Sequence, residues 1–415
     1  MRVSTLFTKT SKNAPSDEVA KNAQLLIRGG YIHKEMAGVY AYLPLGKRVL
    51  DKIIQIIREE MNSVGGNEIN MTALQNSDVW KKSGRWDDKV MDVWFKTQLA
   101  NGTELGLAPT HEEPLTKMMK SFIHSYKDLP VYPYQFQIKF RNELRSKSGL
   151  MRGREFWMKD LYSFSRTQEE HDAFYDGAIS DAYARIFDRL GLGSITYRTF
   201  ASGGSFARFS HEYQTLSPVG EDKIYVHKER NIAINEEVYT DEVLADLGIS
   251  KDELVQETAV EVGNIFTLGT RFSDPLELSF TDEHGESKPV VMGSYGIGPS
   301  RLMGLIAEHF ADDKGLIWPE AIAPFRVYLI SIGNVKAEAD ALYQQLTSQG
   351  IEVLFDDRDE RPGAKFADAE LLGIPYRVTI SERLLLENKF EFTPRSNGET
   401  ELLTGTELLA KLARK

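Results

Sequence analysis

The stretch YQFQIKFRNE at residues 134–143, answered by MRGREFWMKDLYSF at 151–164, decides how this chain is read. Tyr134–Arg141 alternates large apolar and polar side chains with a period of two, the pattern of a half-buried strand. Phe156–Phe164, rich in aromatics, reads as a second strand, and the polar, basic loop between them makes the pair a hairpin. Between Lys139 and Lys159 stand seven basic residues (139, 141, 145, 147, 152, 154, 159) and two acids, Glu143 and Glu155. An arginine inside a strand is seldom buried without an anionic partner. The planar fork of Arg141 suits a carboxylate or a phosphate, and Phe156 offers a face on which a purine can stack. A solvated basic hairpin fits the composition equally well.

Three further clusters carry chemistry. GSYGIGPSR at 293–301 lies at a strand-to-helix junction. Its glycines allow close backbone approach to a ligand. Arg301 at a helix start opposes the helix dipole, so it needs an anion or a purine face to justify it. The pattern lacks the lysine of a Walker loop and is a poor dinucleotide fingerprint, and a structural glycine turn remains open. In APTHEE at 108–113, Thr110 and Glu112 make an acceptor pair for a substrate ammonium. Thr110 with Glu113 would equally serve as a capping box. Ser202-Gly203-Gly204-Ser205 precedes FSHEY at 209–213, where His211 beside Glu212 either lines a pocket or is a satisfied core histidine.

The 415 residues call for two or three domains. No run of about 18 apolar residues suggests a membrane span. The absence of cysteine removes disulfides, thiolate metal sites and a cysteine nucleophile, and no histidine pair has zinc-ligand spacing. The net charge of −11 disfavours a nonspecific nucleic-acid coat but permits local basic patches. The basic, Ser/Thr-rich start has a single arginine and runs into a helix over 17–27, which argues against a transit peptide. Helices are expected at 45–61, 112–126, from Thr167 to about Gly191, and 301–310. Strands are expected at 260–266, 276–280 and 290–294. Residues 217–258 are acidic and weakly patterned. After the Pro-rich link at 318–324 the pattern becomes alternating strands and helices, a small α/β domain.

In this order and spacing the motifs resemble those of the class II aminoacyl-tRNA synthetases, specifically the prolyl members in a compact form. The helix ending in Gly65-Gly66 before Asn67–Leu74 is similar to motif 1, Phe140–Asp160 to motif 2 and Gly293–Arg301 to motif 3. Thr110-His-Glu112, Ser210–Tyr213, Glu261–Gly269, Phe355–Arg358, Gly363–Asp368 and Gly373–Pro375 are similar to further segments of that family. The resemblance implies an α+β fold. Residues 1–322 would form the class II catalytic domain, an antiparallel sheet flanked by helices, with a short connecting region at about 217–258. Residues 323–415 would form an α/β anticodon-binding domain.

It also implies an activity: attachment of L-proline to tRNA(Pro) through prolyl-adenylate, with ATP as substrate and Mg2+ bridging its phosphates. By the same resemblance Arg141 and Arg301 would be catalytic, Arg141 holding the carboxylate and α-phosphate. Thr110 and Glu112 would receive the ammonium of proline, and Trp157 and His211 would wall its ring. Glu143, Arg152, Phe156, Glu212, Gly298 and Arg301 would bind ATP, Glu212 as a possible magnesium ligand. Arg358 and Lys365 would meet the anticodon. A cytoplasmic homodimer is implied. The chain departs from the family pattern at Thr72, where motif 1 usually has proline, at Ser294, where cysteine is usual, and at Arg145-Ser-Lys147. The interval before Val260 is too short for an inserted editing domain.

Overall fold

The computed structural model describes residues 1–144, 146, 148–203 and 209–413. Arg145, Lys147, Gly204 and Ser205, named above in the basic loop and the glycine pair, lie outside the described residues. The chain divides into two compact units. One comprises Ile54–Ser146 and Met151–Leu302; the other comprises Met1–Ile53, Lys147–Leu150 and Met303–Lys415. This spatial division differs from the linear one at 322/323, because the first 53 residues pack with the C-terminal part. Tyr31 OH donates to Leu372 O at 2.6 Å and accepts from Trp318 Nε1 at 3.0 Å. Arg48 and Lys52 donate to the carbonyls of Pro324 and Ala323, both at 2.7 Å, and share the Glu352 carboxylate.

The unit that carries the clusters described above is built on a nine-stranded sheet. Its strands are β1 (Asn67–Glu68), β2 (Pro133–Phe140), β3 (Glu155–Ser165), β4 (Thr196–Ser202), β5 (Phe209–Leu216), β6 (Asp222–His227), β7 (Ile232–Asn235), β8 (Val255–Gly269) and β9 (Val291–Ile297). The spatial order is β5-β4-β7-β6-β8-β9-β3-β2-β1, and β5 also pairs directly with β8. Every pairing is antiparallel except β1–β2 and β4–β7. The hairpin read from 134–164 is therefore the β2–β3 ladder, with Gln135 opposite Asp160 and Lys139 opposite Phe156.

Register assigns each side chain to a face, because successive residues of a strand point to opposite sides. One transverse row runs Glu212–Asn264–Gly296–Asp160–Gln135 across β5, β8, β9, β3 and β2. The neighbouring row, His211–Ile265–Tyr295–Leu161–Tyr134, points the other way. On this back face Ile265, Tyr295 and Leu161 are fully buried, as are Tyr183 and Ile186 of the helix Ile179–Arg189. Tyr183 OH is tied to Lys159 Nζ at 2.8 Å and to Gly296 O at 3.1 Å, which fixes the helix to the sheet. Each such apolar side chain contributes about 1.5–3 kcal/mol by leaving water.

Several elements differ from expectation. The helix from Glu112 stops at Met119, and Ser125 with Asp128 caps a separate short turn at Tyr126–Asp128. The expected strand at 276–280 begins as a helical turn, Ser273–Leu276, and only Ser279–Thr281 is extended. Glu277, at φ 57°, makes the corner between them. The weakly patterned 217–258 supplies β6 and β7 to the main sheet and a helix, Asp241–Leu247, capped by Thr240.

The other unit contains β10 (Val327–Ile332), β11 (Val353–Asp356), β12 (Tyr376–Ser381), β13 (Phe390–Pro394) and β14 (Glu401–Leu403) in the order β11-β10-β12-β13-β14. The first three are parallel and the last two are added antiparallel. Val327, Leu329, Val353, Val378 and Ile380 fill its core with Leu342, Leu346 and Leu408 from the covering helices.

Candidate active site

A cavity of about 280 Å³ lies on the front face of the nine-stranded sheet. Met158, Asp160 and Tyr162 of β3, Asn264 and Phe266 of β8, and Ser294 and Gly296 of β9 form its floor. Thr110, Glu112, Lys139, Arg141 and Glu143 line it from the side, and Arg85, Met91 and Val93 close it. The glycine at 296 is required here. A Cβ would meet Asn264 Oδ1 at 2.8 Å and approach Met158 Sδ at 3.7 Å.

Thr110 and Glu113 do not form the capping box that sequence allowed. His111 is the cap residue of the helix Glu112–Met119 and makes no side-chain cap bond. Thr110 Oγ1 instead donates to Glu112 Oε2 at 2.7 Å. His111 is wholly buried. Its Nε2 lies 3.0 Å from Thr72 O and its Nδ1 2.5 Å from Lys139 Nζ. Burial, reinforced by Lys139, lowers His111 to about 4, so the ring is neutral at neutral pH. Lys139 donates to Nδ1, so Nε2 carries the proton and gives it to Thr72 O. The histidine thus pins the Thr110–Glu112 loop between the segment around Thr72 and β2.

Arg85 was not found by sequence reasoning. Its Nη1 lies 3.2 Å from Glu112 Oε2 and 3.1 Å from Glu113 Oε2. Burial works to raise Glu112, but Arg85 and the Thr110 hydroxyl outweigh it and hold the carboxyl below its ordinary range. Glu113, deeper still, is pushed up to about 7 by burial, with Glu112 adding to the push against the pull of Arg85. Of two adjacent carboxyls, one is held ionised facing the cavity and the other takes up a proton near neutrality. Nothing in SGRW at 83–86 marked the arginine; only the fold brings it to Glu112.

Arg141 extends the front-face parity of Lys139. Its Nε donates to Pro109 O at 3.3 Å and its guanidinium sits 5.3 Å from the Phe156 ring centroid. Arg301, in the first turn of the helix Pro299–His309, donates to Met151 O at 2.9 Å and to Glu261 O at 2.6 Å, with Glu261 Oε2 at 3.3 Å. Burial, then the nearby Arg301 charge, lowers Arg141. The charge of Arg301 thus reaches Arg141, and paired guanidiniums suit an anion. Glu143 pairs with Arg152 at 3.0 Å, and Arg152 reaches Glu221 at 2.9 Å. Gly298 precedes the Arg301 turn, where an added Cβ would meet Arg301 Cβ at 3.3 Å.

Glu212 lies on the front face. Gln214 Nε2 and Asn235 Nδ2 donate to its Oε2 at 2.8 and 3.1 Å. Burial and then the Glu261 charge raise it to about 7. A divalent cation would offset that repulsion, so the donor set is suited to one. Among the described residues no group of three or more His, Asp or Glu side chains is placed to hold a metal ion. Any cation here would take its remaining oxygens from a bound phosphate.

Two assignments to the proline ring are corrected by strand parity. His211 lies in the back-face row, with Nδ1 2.9 Å from Tyr175 OH and 3.3 Å from Arg198 Nη2. Trp157 is one residue out of phase with Met158 and Asp160, in the register of Lys159, and so points away from the cavity. The apolar lining of the cavity includes Met158, Phe266, Met91 and Val93. In the other unit Lys365 is 3 % exposed, its Nζ donating to Ser331 O at 2.9 Å and Asp356 O at 3.2 Å. Its ammonium is held by main-chain carbonyls inside the unit. Arg358 spends its fork on Asp356 and Asp368, each at 2.7 Å.

Residues 95–310 match the family described as tRNA synthetase class II core domain (G, H, P, S and T), and residues 326–415 match the anticodon binding domain. The chain is 39 % identical to the proline--tRNA ligase of Hyphomonas neptunium, with 99 % of each protein covered. It is 37 % identical to that of Maricaulis maris, covering 100 % of this chain and 98 % of the relative. A Giardia lamblia prolyl-tRNA synthetase in complex with prolyl-adenylate matches with a TM-score of 0.77 at 21 % identity, over 93 % of this chain and 74 % of that one. The Cryptosporidium parvum prolyl-tRNA synthetase complexed with halofuginone and AMPPNP also gives 0.77, at 18 % identity, over 94 % and 75 %. At these identities the structural matches speak for the fold alone.

Proposed function

Since the chain belongs to the class II aminoacyl-tRNA synthetases, among the proline--tRNA ligases, we propose that its front-face cavity activates L-proline with ATP and passes it to tRNA(Pro). The observation that carries this reading is that Arg141 lines one cavity with the Thr110–Glu112 pair, and that the charge of Arg301 acts on Arg141. A carboxylate and a phosphate are brought together by the arginines, while the ammonium end is received by Glu112, held by Thr110 and Arg85.

In the first step a carboxylate oxygen of proline attacks the α-phosphorus of ATP. A new P–O bond forms and the bond to pyrophosphate breaks. Arg141 orients the attacking carboxylate and offsets charge on the α-phosphate; Arg301 meets the nucleotide from the opposite side. The acceleration comes from positioning and from fixed charge around the phosphoryl group. Phe156 and Arg301 sandwich the adenine, Glu143 accepts from its amino group, and Arg152 turns from Glu143 and Glu221 to the distal phosphates. Glu212 would help to hold magnesium bound with ATP, which would supply positive charge against the phosphates. In the second step the 3′-terminal ribose hydroxyl of tRNA attacks the activated carbonyl and AMP leaves. The working form is a cytoplasmic homodimer. Among the described residues, no helix is long and apolar enough to cross a membrane.

ATP–pyrophosphate exchange with single amino acids tests the reading. Exchange should depend on proline, and exchange driven instead by threonine, glycine or histidine would reassign the enzyme within its class. Light scattering of the purified protein checks the dimer.

A further inference from the structure

We propose that Asp160 determines amino-acid specificity by accepting, through Oδ1, one of the N–H bonds of the bound proline's ammonium. The proposal rests on the proline-activation reading and adds a residue to it.

The two oxygens of Asp160 are treated very differently by the protein. Oδ2 receives three donors: Lys139 Nζ at 2.9 Å, Gln135 Nε2 at 3.0 Å and Tyr162 OH at 3.1 Å. Oδ1 is buried and receives none. The residue as a whole is 5 % exposed and lines the cavity. A buried acceptor without a donor is costly, and native structures rarely keep one. Its persistence in a substrate cavity calls for a donor that arrives from outside the chain.

The surroundings favour a cationic nitrogen as that donor. Across the ladder Asp160 faces Gly296, the one front-face neighbour with no side chain to cover a carboxylate. The Lys139 charge and the Gln135 amide outweigh burial and keep Asp160 ionised, and both sit on the side of Oδ2. A chain of hydrogen bonds links it to the recognised acceptor pair: Tyr162 OH lies 3.3 Å from Thr110 Oγ1, which donates to Glu112 at 2.7 Å. Glu112 Oε2 is occupied by Thr110 and Arg85, whereas Oε1 receives Ser294 Oγ at the long distance of 3.5 Å. Two carboxylate oxygens, Glu112 Oε1 and Asp160 Oδ1, are thus left for a secondary ammonium with two N–H bonds.

The test compares two ligands on the full-length protein. L-proline and cyclopentanecarboxylate share ring and carboxylate, but only proline has N–H donors. Affinities are measured by calorimetry for the unaltered protein, Asp160→Asn and Asp160→Ser, the serine variant serving if asparagine prevents folding. Proline should weaken by about tenfold or more and cyclopentanecarboxylate by less than about threefold, since only the hydrogen bond to an ionised acceptor is lost. Parallel losses for both ligands, or an unchanged proline affinity, would overturn the assignment of Asp160. Absence of proline-dependent exchange in the unaltered protein would overturn the proline reading and this assignment with it.

Discussion

Arg85 Nη1 stands within 3.2 Å of Glu112 and 3.1 Å of Glu113, one guanidinium serving two consecutive carboxyls at the head of a helix. Glu112 faces the cavity and Glu113 is wholly buried behind it. Without the arginine, burial alone would push Glu112 toward its neutral form and blunt the site's hold on an ammonium.

Arg85→Ala should therefore raise the proline KM in pyrophosphate exchange by at least about tenfold. It should also cost about 3–5 kcal/mol of stability, the usual penalty for removing one partner of a buried ion pair. Arg85→Lys restores the charge but not the fork, and should recover only part of the loss. A variant with normal proline KM would sink the role given to Arg85.

Glu113 makes stability depend on pH with a defined sign. Its folded-state value, about 7, lies above its ordinary 4.5, so folding favours the protonated form. That stabilisation is complete below pH 4.5 and is lost as pH rises through 7. Across those limits it amounts to about 3 kcal/mol. Urea melts across this window should show a shallower fall in stability for Glu113→Gln. An identical slope in the two proteins would show that Glu113 titrates normally.

The sheet strands that build the site were legible because their side chains alternate. Tyr134–Arg141 and Phe156–Phe164 were placed within a residue or two of β2 and β3. Thr110, Glu112 and Arg141, singled out from their local motifs, and Glu143, named through the family resemblance, line the cavity. Faces were the harder problem. Motif spacing names Trp157 and Met158 equally well, and only the register with β2 and β9 says which one looks into the cavity. Arg85 was invisible because its partners lie 27 and 28 residues away, and the packing of Trp80, Trp86 and Trp94, with ring centroids 4.7–4.9 Å apart, sets its loop. The attachment of the first 53 residues to the C-terminal part was hidden for the same reason, since it depends on long-range contacts such as Tyr31 to Leu372.

Gly296→Ala should impair ATP use more than its single methyl suggests. The new Cβ would press Asn264, whose Nδ2 holds Glu261 Oε1 at 2.8 Å, and Glu261 in turn holds Arg301. A shift relayed to a positioning arginine by a fraction of an ångström should lower kcat/KM for ATP by about tenfold, since misplacement near 1 Å can cost 10²-fold. Unchanged ATP kinetics would show that the relay is slack.

Alanine should be activated and should remain on the tRNA. Pocket contacts reject a ligand lacking a methylene by only about 1–3 kcal/mol, and the interval 217–258 is committed to β6, β7 and one short helix packed around Ile234, Leu244 and Ile249. Incubating alanyl-tRNA(Pro) with the pure protein should give no hydrolysis above the buffer rate. Rapid release of alanine would reveal an editing activity elsewhere in the chain.

Lys365 offers a clean separation of stability from RNA binding. Its ammonium is buried and satisfied by two backbone carbonyls, Ser331 O and Asp356 O. Replacing it leaves those acceptors without a donor, so Lys365→Met should lower the stability of the C-terminal unit by about 1–3 kcal/mol. A cation that touches phosphate contributes to counterion release, whereas a cation sealed in the interior does not. The dependence of tRNA affinity on salt should therefore keep its slope in this variant at temperatures where it is folded. A slope reduced by about one unit would place Lys365 at the nucleic acid after all.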